Sequence, residues 1–190
     1  MKPKSGFHPL AASDRSQGDR PRIVVLVGFM GAGKTSVGQV LSRRLDWRFE
    51  DLDDRIQARE GRSIEEMFRD SGETGFRRAE HAALRELLAE IGSAPQVVAL
   101  GGGAFGQPEN VELLEKSGAA VVFLDGPPEE LFRRCEQQPI RRPLRRDAEQ
   151  FRELYQQRLP SYLAAGWRVD TSGKDPETVA AEVACSLGLQ

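Results

Sequence analysis

The chain has 190 residues, 39% of them hydrophobic and 29% charged, with a formal net charge of -2. That length fits one domain with a real core, and the near-neutral charge argues against a general nucleic-acid binder, which would be basic overall. Cys135 and Cys185 are the only two cysteines; their spacing argues against a disulfide framework or zinc site, and both are read as small buried hydrophobes in a reducing cytoplasm.

Residues 1–21 mix Lys, Pro, Ser, Gly, Asp and Arg without an apolar stretch. They read as a disordered N-terminal tail rather than a secretion signal, leaving 22–190 as the folded domain. The run Ile23-Val24-Val25-Leu26-Val27 ends at glycine and reads as a buried parallel strand. A helix is expected over 34–45, where Val37, Val40, Leu41 and Leu45 recur at helical spacing. A weaker strand is expected at 47–50, then helices at 53–60, 63–69 and 74–91. Further strands are read at 97–100, 119–124 and 168–170, and further helices at 108–117, 128–137, 148–165 and 176–187. Residues 138–147 are rich in arginine and proline with little periodicity, so they read as a loop. Strands alternating with helices give an α/β chain with a parallel sheet covered on both faces. No apolar run approaches the roughly 20 residues of a membrane span.

Gly28-Phe29-Met30-Gly31-Ala32-Gly33-Lys34-Thr35 matches the phosphate-binding pattern G-x-x-x-x-G-K-[ST] in full. Glycines let successive backbone N–H groups converge on phosphate oxygens, and the following helix adds the positive end of its dipole. Lys34 can bridge the β- and γ-phosphates while the Thr35 hydroxyl ligates Mg²⁺. A strand before and a helix after make a chance glycine-rich turn a weak competitor. The motif alone does not separate kinases from GTPases and other ATPases.

Asp51 and Asp53 lie two residues apart after the second strand. If that strand continues, period two turns both carboxylates to the same side at the sheet edge where ligands bind. One can hold a Mg²⁺ water shell while the other accepts a hydroxyl proton; helix capping by Asp53 or Asp54 is the plain alternative. The strand at 97–100 ends in glycine, so Asp51 is the available support for a metal. Gly101-Gly102-Gly103 removes side chains where a ligand can approach backbone, the alternative being a loose loop.

Most of the positive charge is arginine, the better fork for carboxylates and phosphates. Arg133, Arg134, Arg141, Arg142, Arg145 and Arg146 crowd one helix end and the following loop, which can close over a triphosphate. Arg43, Arg44, Arg55 and Arg69 are assigned to solvated faces, and His8 and His81, with no apparent partner in the sequence, are given no role.

The phosphate loop, Asp51-Leu52-Asp53, Gly61-Arg62-Ser63-Ile64, Phe76-Arg77-Arg78-x-Glu80, Leu100-Gly101-Gly102-Gly103, Arg142-Pro143-Leu144 and Arg158-x-x-x-Tyr162 occur in the order seen in shikimate kinases. The resemblance spans about residues 22–188. It implies transfer of the γ-phosphoryl of ATP to the 3-hydroxyl of shikimate, on the route to chorismate and aromatic amino acids, in a monomer working in the cytoplasm. It also implies a three-layer, nucleoside-monophosphate-kinase-like fold: a five-stranded parallel sheet flanked by helices, with a mobile lid at about 133–147. By that resemblance Gly31, Ala32, Gly33, Lys34, Thr35 and Ser36 hold the ATP phosphates, and Thr35 ligates Mg²⁺ with Asp51 behind it. Asp53 binds and orients the attacking hydroxyl, Arg77 and Arg158 grip the shikimate carboxylate, and Gly102 and Gly103 offer backbone to the ring. Arg142 on the lid contacts the phosphates and Arg134 lies against the adenine. Lys174 stands where many relatives carry a nucleotide-contacting arginine, and Arg141 beside Arg142 can share the lid role. The competing readings are a gluconate or nucleoside-monophosphate kinase of the same fold, and a non-catalytic nucleotide-binding module. No protein, nucleic-acid or membrane partner is implied.

Overall fold

In the computed structural model the described residues are 20–91, 94–137 and 147–189. Five strands, β1 (Ile23–Val27), β2 (Arg48–Asp51), β3 (Gln96–Ala99), β4 (Ala120–Asp125) and β5 (Trp167–Asp170), form one sheet in the order β2-β3-β1-β4-β5, with every pairing parallel. β1 sits at the centre, with Val25 opposite Val98 on one side and Val121 on the other. Each residue of β1, β3 and β4 is buried, which is why they read as unbroken apolar runs. The edge strands β2 and β5 carry exposed Arg48, Arg168 and Asp170, and their sequence signal is correspondingly weak.

The helices are α1 (Lys34–Leu45), α2 (Leu52–Glu60), α3 (Ile64–Glu90), α4 (Pro108–Ser117), α5 (Pro128–Glu136), α6 (Ala148–Tyr162) and α7 (Pro176–Ser186). They flank the sheet, α1 packing on α7, α2 on α3 and α5 on α6. The helices expected at 63–69 and 74–91 run on as α3 but part at Gly72, whose φ of 64° and ψ of -177° interrupt the helical backbone. A Ser63–Glu66 capping box opens α3, and Gly61 in the left-handed region closes α2. A short 3-10 turn, Ala104–Gly106, follows the glycine triplet and was not foreseen.

Two expectations need correction. Cys135 is buried as expected but Cys185 is exposed, because the buried stripe of α7 is Val179, Ala180, Val183 and Ala184. His81 is not without a partner: its Nδ1 lies 2.9 Å from Asn110 Oδ1, and the Asn110 amide donates to the Ala104 carbonyl.

The order of strands makes the site. The chain leaves β1 for β2, returns to insert β3 between them, and then crosses to β4 on the other flank. The crevice beyond the carboxyl ends of β1 and its neighbours is where open α/β sheets bind ligands. Into it run the phosphate loop after β1, Asp51 at the end of β2, the glycine triplet after β3 and Asp125 at the end of β4.

Candidate active site

Residues 28–33 turn from β1 into α1, with Gly28, Gly31 and Gly33 at φ of 147°, 80° and 85°. At Gly31 the constraint is double: a β-carbon there would collide with the Leu131 carbonyl of α5 and lie 3.0 Å from Cys135 Sγ. The loop is therefore seated on α5. Gly33 caps α1 through backbone alone, leaving the first amides of α1 for an anion. Lys34 is buried and its ammonium donates to the Gly28 and Phe29 carbonyls at 2.9 and 3.1 Å, so the charge lies across the loop. Ala32 is buried inside the turn, while Thr35 and Ser36 are exposed at the start of α1.

Asp51 and Asp53 meet, but not through strand pleating. Asp51 is the last residue of β2 and the N-cap of α2, and its Oδ1 accepts from the Asp53 amide at 3.0 Å. Asp53 therefore sits in the first helical turn, and capping brings the pair together. The other oxygen, Asp51 Oδ2, accepts from the Thr35 hydroxyl at 2.7 Å, linking the start of α1 to the end of β2.

Gly101, Gly102 and Gly103 are where the remaining groups converge. A β-carbon at Gly101 would lie 2.7 Å from Asp53 Oδ1 and 3.1 Å from Glu80 Oε1. At Gly102 it would lie 3.4 Å from Arg158 Nη1, 3.7 Å from the Gly28 carbonyl and 3.8 Å from the Tyr162 hydroxyl, and at Gly103 it would strike the Arg77 guanidinium. Arg158 Nη1 donates to the Gly102 carbonyl at 3.2 Å, and the Tyr162 hydroxyl donates to the same oxygen. The triplet is thus not a loose loop but the floor on which α2, α3 and α6 place their polar side chains.

Arg77 and Glu80, one turn apart on α3, form an ion pair at 2.7 Å, and Glu73 holds the outer face of the guanidinium at 3.1 Å. Glu80 is fully buried. Burial pushes its carboxyl up to about 7, with the Arg77 guanidinium opposing and Asp53 adding to the rise. Desolvation wins because one oxygen, Oε1, has no hydrogen-bond partner among the described residues; the same holds for Arg77 Nε. Tyr162 stacks on Phe123 at 5.2 Å, and burial pushes its hydroxyl up to about 12, so it stays a donor. The Arg158 guanidinium lies 5.8 Å over the ring of Phe29, inside the phosphate loop.

Two positions lie apart from this cluster. Arg134 on α5 donates to the Thr171 hydroxyl and carbonyl at 3.2 and 2.7 Å and to Glu130 at 2.7 Å. Lys174, after β5, pairs with Glu182 at 2.8 Å and the Asp170 carbonyl at 3.0 Å. Arg141 and Arg142 lie outside the described residues, as do residues 138–146 of the expected lid; residues 133–136 belong to α5. In the sequence, Glu80 and Tyr162 stand out only as members of the motifs around Arg77 and Arg158. The i, i+3 and i, i+4 spacing to Arg77 and Arg158 was the available sign that they act as partners of those arginines.

A family model described as shikimate kinase matches residues 30–187. The chain belongs to the shikimate kinase family. Shikimate kinases from Geobacter metallireducens and Persephonella marina are 42% and 37% identical to it, covering 92% and 85% of this chain and 96% of each relative. A shikimate kinase of Acinetobacter baumannii, solved in complex with shikimate, superposes with a TM-score of 0.80 at 33% identity, over 89% of this chain and 94% of that one. A gluconokinase of Sinorhizobium meliloti superposes at 0.58 with 20% identity, over 90% and 94% of the two chains, a likeness of fold alone.

Proposed function

We infer that this shikimate kinase family member transfers the γ-phosphoryl of ATP to the 3-hydroxyl of shikimate, in the synthesis of chorismate and the aromatic amino acids. The observation that carries the reading is the convergence on Gly101–103, beside the Gly28 carbonyl, of Asp53 and two guanidinium groups (Arg77, Arg158), with the Glu80 carboxyl paired to Arg77. An acceptor with a carboxylate at one end and a hydroxyl at the other matches that layout. Its carboxylate suits the forks of Arg77 and Arg158, and its hydroxyl faces Asp53.

The backbone amides of residues 31–36 and the Lys34 ammonium take the triphosphate, offsetting charge that builds on the transferred group. Asp53 orients the acceptor hydroxyl and takes its proton as the new O–P bond forms. Glu80 holds Arg77 in place and Tyr162 holds the Gly102 carbonyl, so acceptor and phosphate meet in fixed geometry. Gly102 and Gly103 leave room for the ring to lie against backbone.

The donors Thr35 Oγ1 and Asp51 Oδ2, 2.7 Å apart, are hard oxygen ligands, and no cluster of three or more His, Cys, Asp or Glu side chains fit to hold a metal occurs among the described residues. That suits a Mg²⁺ ion held mainly by phosphates and water, with Thr35 as ligand and Asp51 behind it. When bound there, the ion would neutralise phosphate charge. Arg142, Arg134 and Lys174 complete the nucleotide side in this reading, Arg142 from a lid at about 133–147. The working state is a cytoplasmic monomer of residues 22–190 with a dispensable tail at 1–21; among the described residues no helix is long and apolar enough to cross a membrane.

A coupled assay of ADP release decides between acceptors. Shikimate is expected to support turnover with ATP and Mg²⁺, while gluconate and AMP are not. Turnover with either of those and none with shikimate would overturn the reading.

A further inference from the structure

Asp125, the last residue of β4, is buried outside the cluster just described, and its carboxylate has four donors. Oδ1 accepts from the Tyr155 hydroxyl at 2.9 Å and the Gly126 amide at 2.8 Å; Oδ2 accepts from Arg168 Nε and Nη2 at 2.9 and 2.5 Å. The Arg168 guanidinium neutralises a carboxylate that would otherwise be costly to bury. The backbone carbonyl of Asp125 also accepts the amide and hydroxyl of Thr171, the residue that holds Arg134.

Tyr155 lies on α6, one turn before Arg158. The inner face of α6 rests on the phosphate loop through one ring: Phe29 meets Phe151 at 4.8 Å, Tyr155 at 5.5 Å and the Arg158 guanidinium at 5.8 Å. Edge-to-face ring contacts hold two elements together but tolerate small slides, whereas a charge-assisted hydrogen bond is short and directional. The Tyr155–Asp125 bond is therefore the directional contact nearest Phe29 that limits sliding of α6, alongside the bonds of Arg158 and Tyr162 to the Gly102 carbonyl further along the helix. A shift of about an ångström would misplace a group one turn away.

We propose that Asp125 is a positioning residue for the acceptor: through the Tyr155 hydroxyl it fixes α6 against the phosphate loop, and so fixes Arg158 over the glycine triplet. This rests on the reading of Arg158 as a carboxylate-gripping residue. Burial first, and Asp125 second, hold the Tyr155 hydroxyl up at about 12, so the donor persists across the working pH range.

The test uses the full chain and steady-state kinetics with shikimate and ATP varied in turn. Tyr155→Phe removes the hydroxyl and keeps the ring on Phe29. It is expected to raise the KM for shikimate about five-fold, leaving the KM for ATP within about two-fold. Asp125→Asn should act in the same direction. In an Arg158→Ala background, Tyr155→Phe should produce no further loss of kcat/KM for shikimate. A folded Tyr155→Phe protein with unaltered shikimate KM would overturn the inference, as would an equal rise in both KM values. So would the same loss in both Arg158 backgrounds, because Tyr155 would then act independently of the guanidinium. A wild-type chain inactive on shikimate would instead remove the underlying assignment of Arg158, and this inference with it.

Discussion

The two sides of the crevice are built by different means. The phosphate side is one continuous segment, residues 28–36, whose shape comes from backbone: three glycines at positive φ, a helix start without a side-chain cap, and a seat on α5 that leaves no room for a β-carbon at Gly31. The acceptor side has no such local logic. Asp53 comes from α2, Arg77 and Glu80 from α3, Arg158 and Tyr162 from α6, and they meet only because Gly101–103 has no side chains to keep them apart. A site made of backbone is fixed largely by local sequence and, in the proposed reading, takes the triphosphate. A site made of side chains from three helices is fixed by the tertiary fold and, in the proposed reading, selects the acceptor.

Substitutions can sharpen that contrast or break it. The largest effects belong where the two sides meet. Asp53→Asn should lower kcat by about 10² to 10⁴ and Lys34→Ala by at least about 10², with the fold intact by circular dichroism. Near-normal turnover in either would show that the reacting groups lie elsewhere. Next in size is a pH effect from the acceptor side. Glu80 ordinarily titrates at 4.5 but at about 7 in its buried setting. Between those values the folded chain holds a proton that the unfolded chain releases. The stability from burying the neutral carboxyl is complete below 4.5 and lost as pH rises through 7, on the order of 3 kcal/mol. Urea unfolding of Glu80→Gln should lack that decline between about pH 4.5 and 7. A decline equal to wild type would locate the titration in another group. Smaller still, Arg77→Ala should raise the shikimate KM by roughly 10- to 100-fold and spare the ATP KM. If the ATP KM moved instead, the division between the two sides would fail.

The same division governs what could be read from the chain. The central strands and the phosphate loop were legible because their signals are local: unbroken apolar runs, and a spacing of glycines with Lys34. The break in α3 was legible because helical periodicity stops around Gly72. Juxtapositions were harder. Asp51 and Asp53 were expected to meet by strand alternation, yet a helix cap unites them, since only the fold decides that β2 ends at Asp51. The ties from Asp125 to Tyr155 and from His81 to Asn110 span 30 and 29 residues, and no periodicity encodes them. Cys185 was misassigned because one small residue on α7 does not reveal which way it faces.

Gly72 carries one further consequence. Nothing lies within 4 Å of where its β-carbon would sit, so crowding does not demand glycine there. The demand is one of handedness, because φ near 64° with ψ near -177° is open to glycine and closed to L-residues. The mirror image of those angles is ordinary extended backbone. A chemically synthesised chain with D-alanine at this position should keep the break in α3 that precedes Arg77 and Glu80. The L-enantiomer, identical in composition, should strain it.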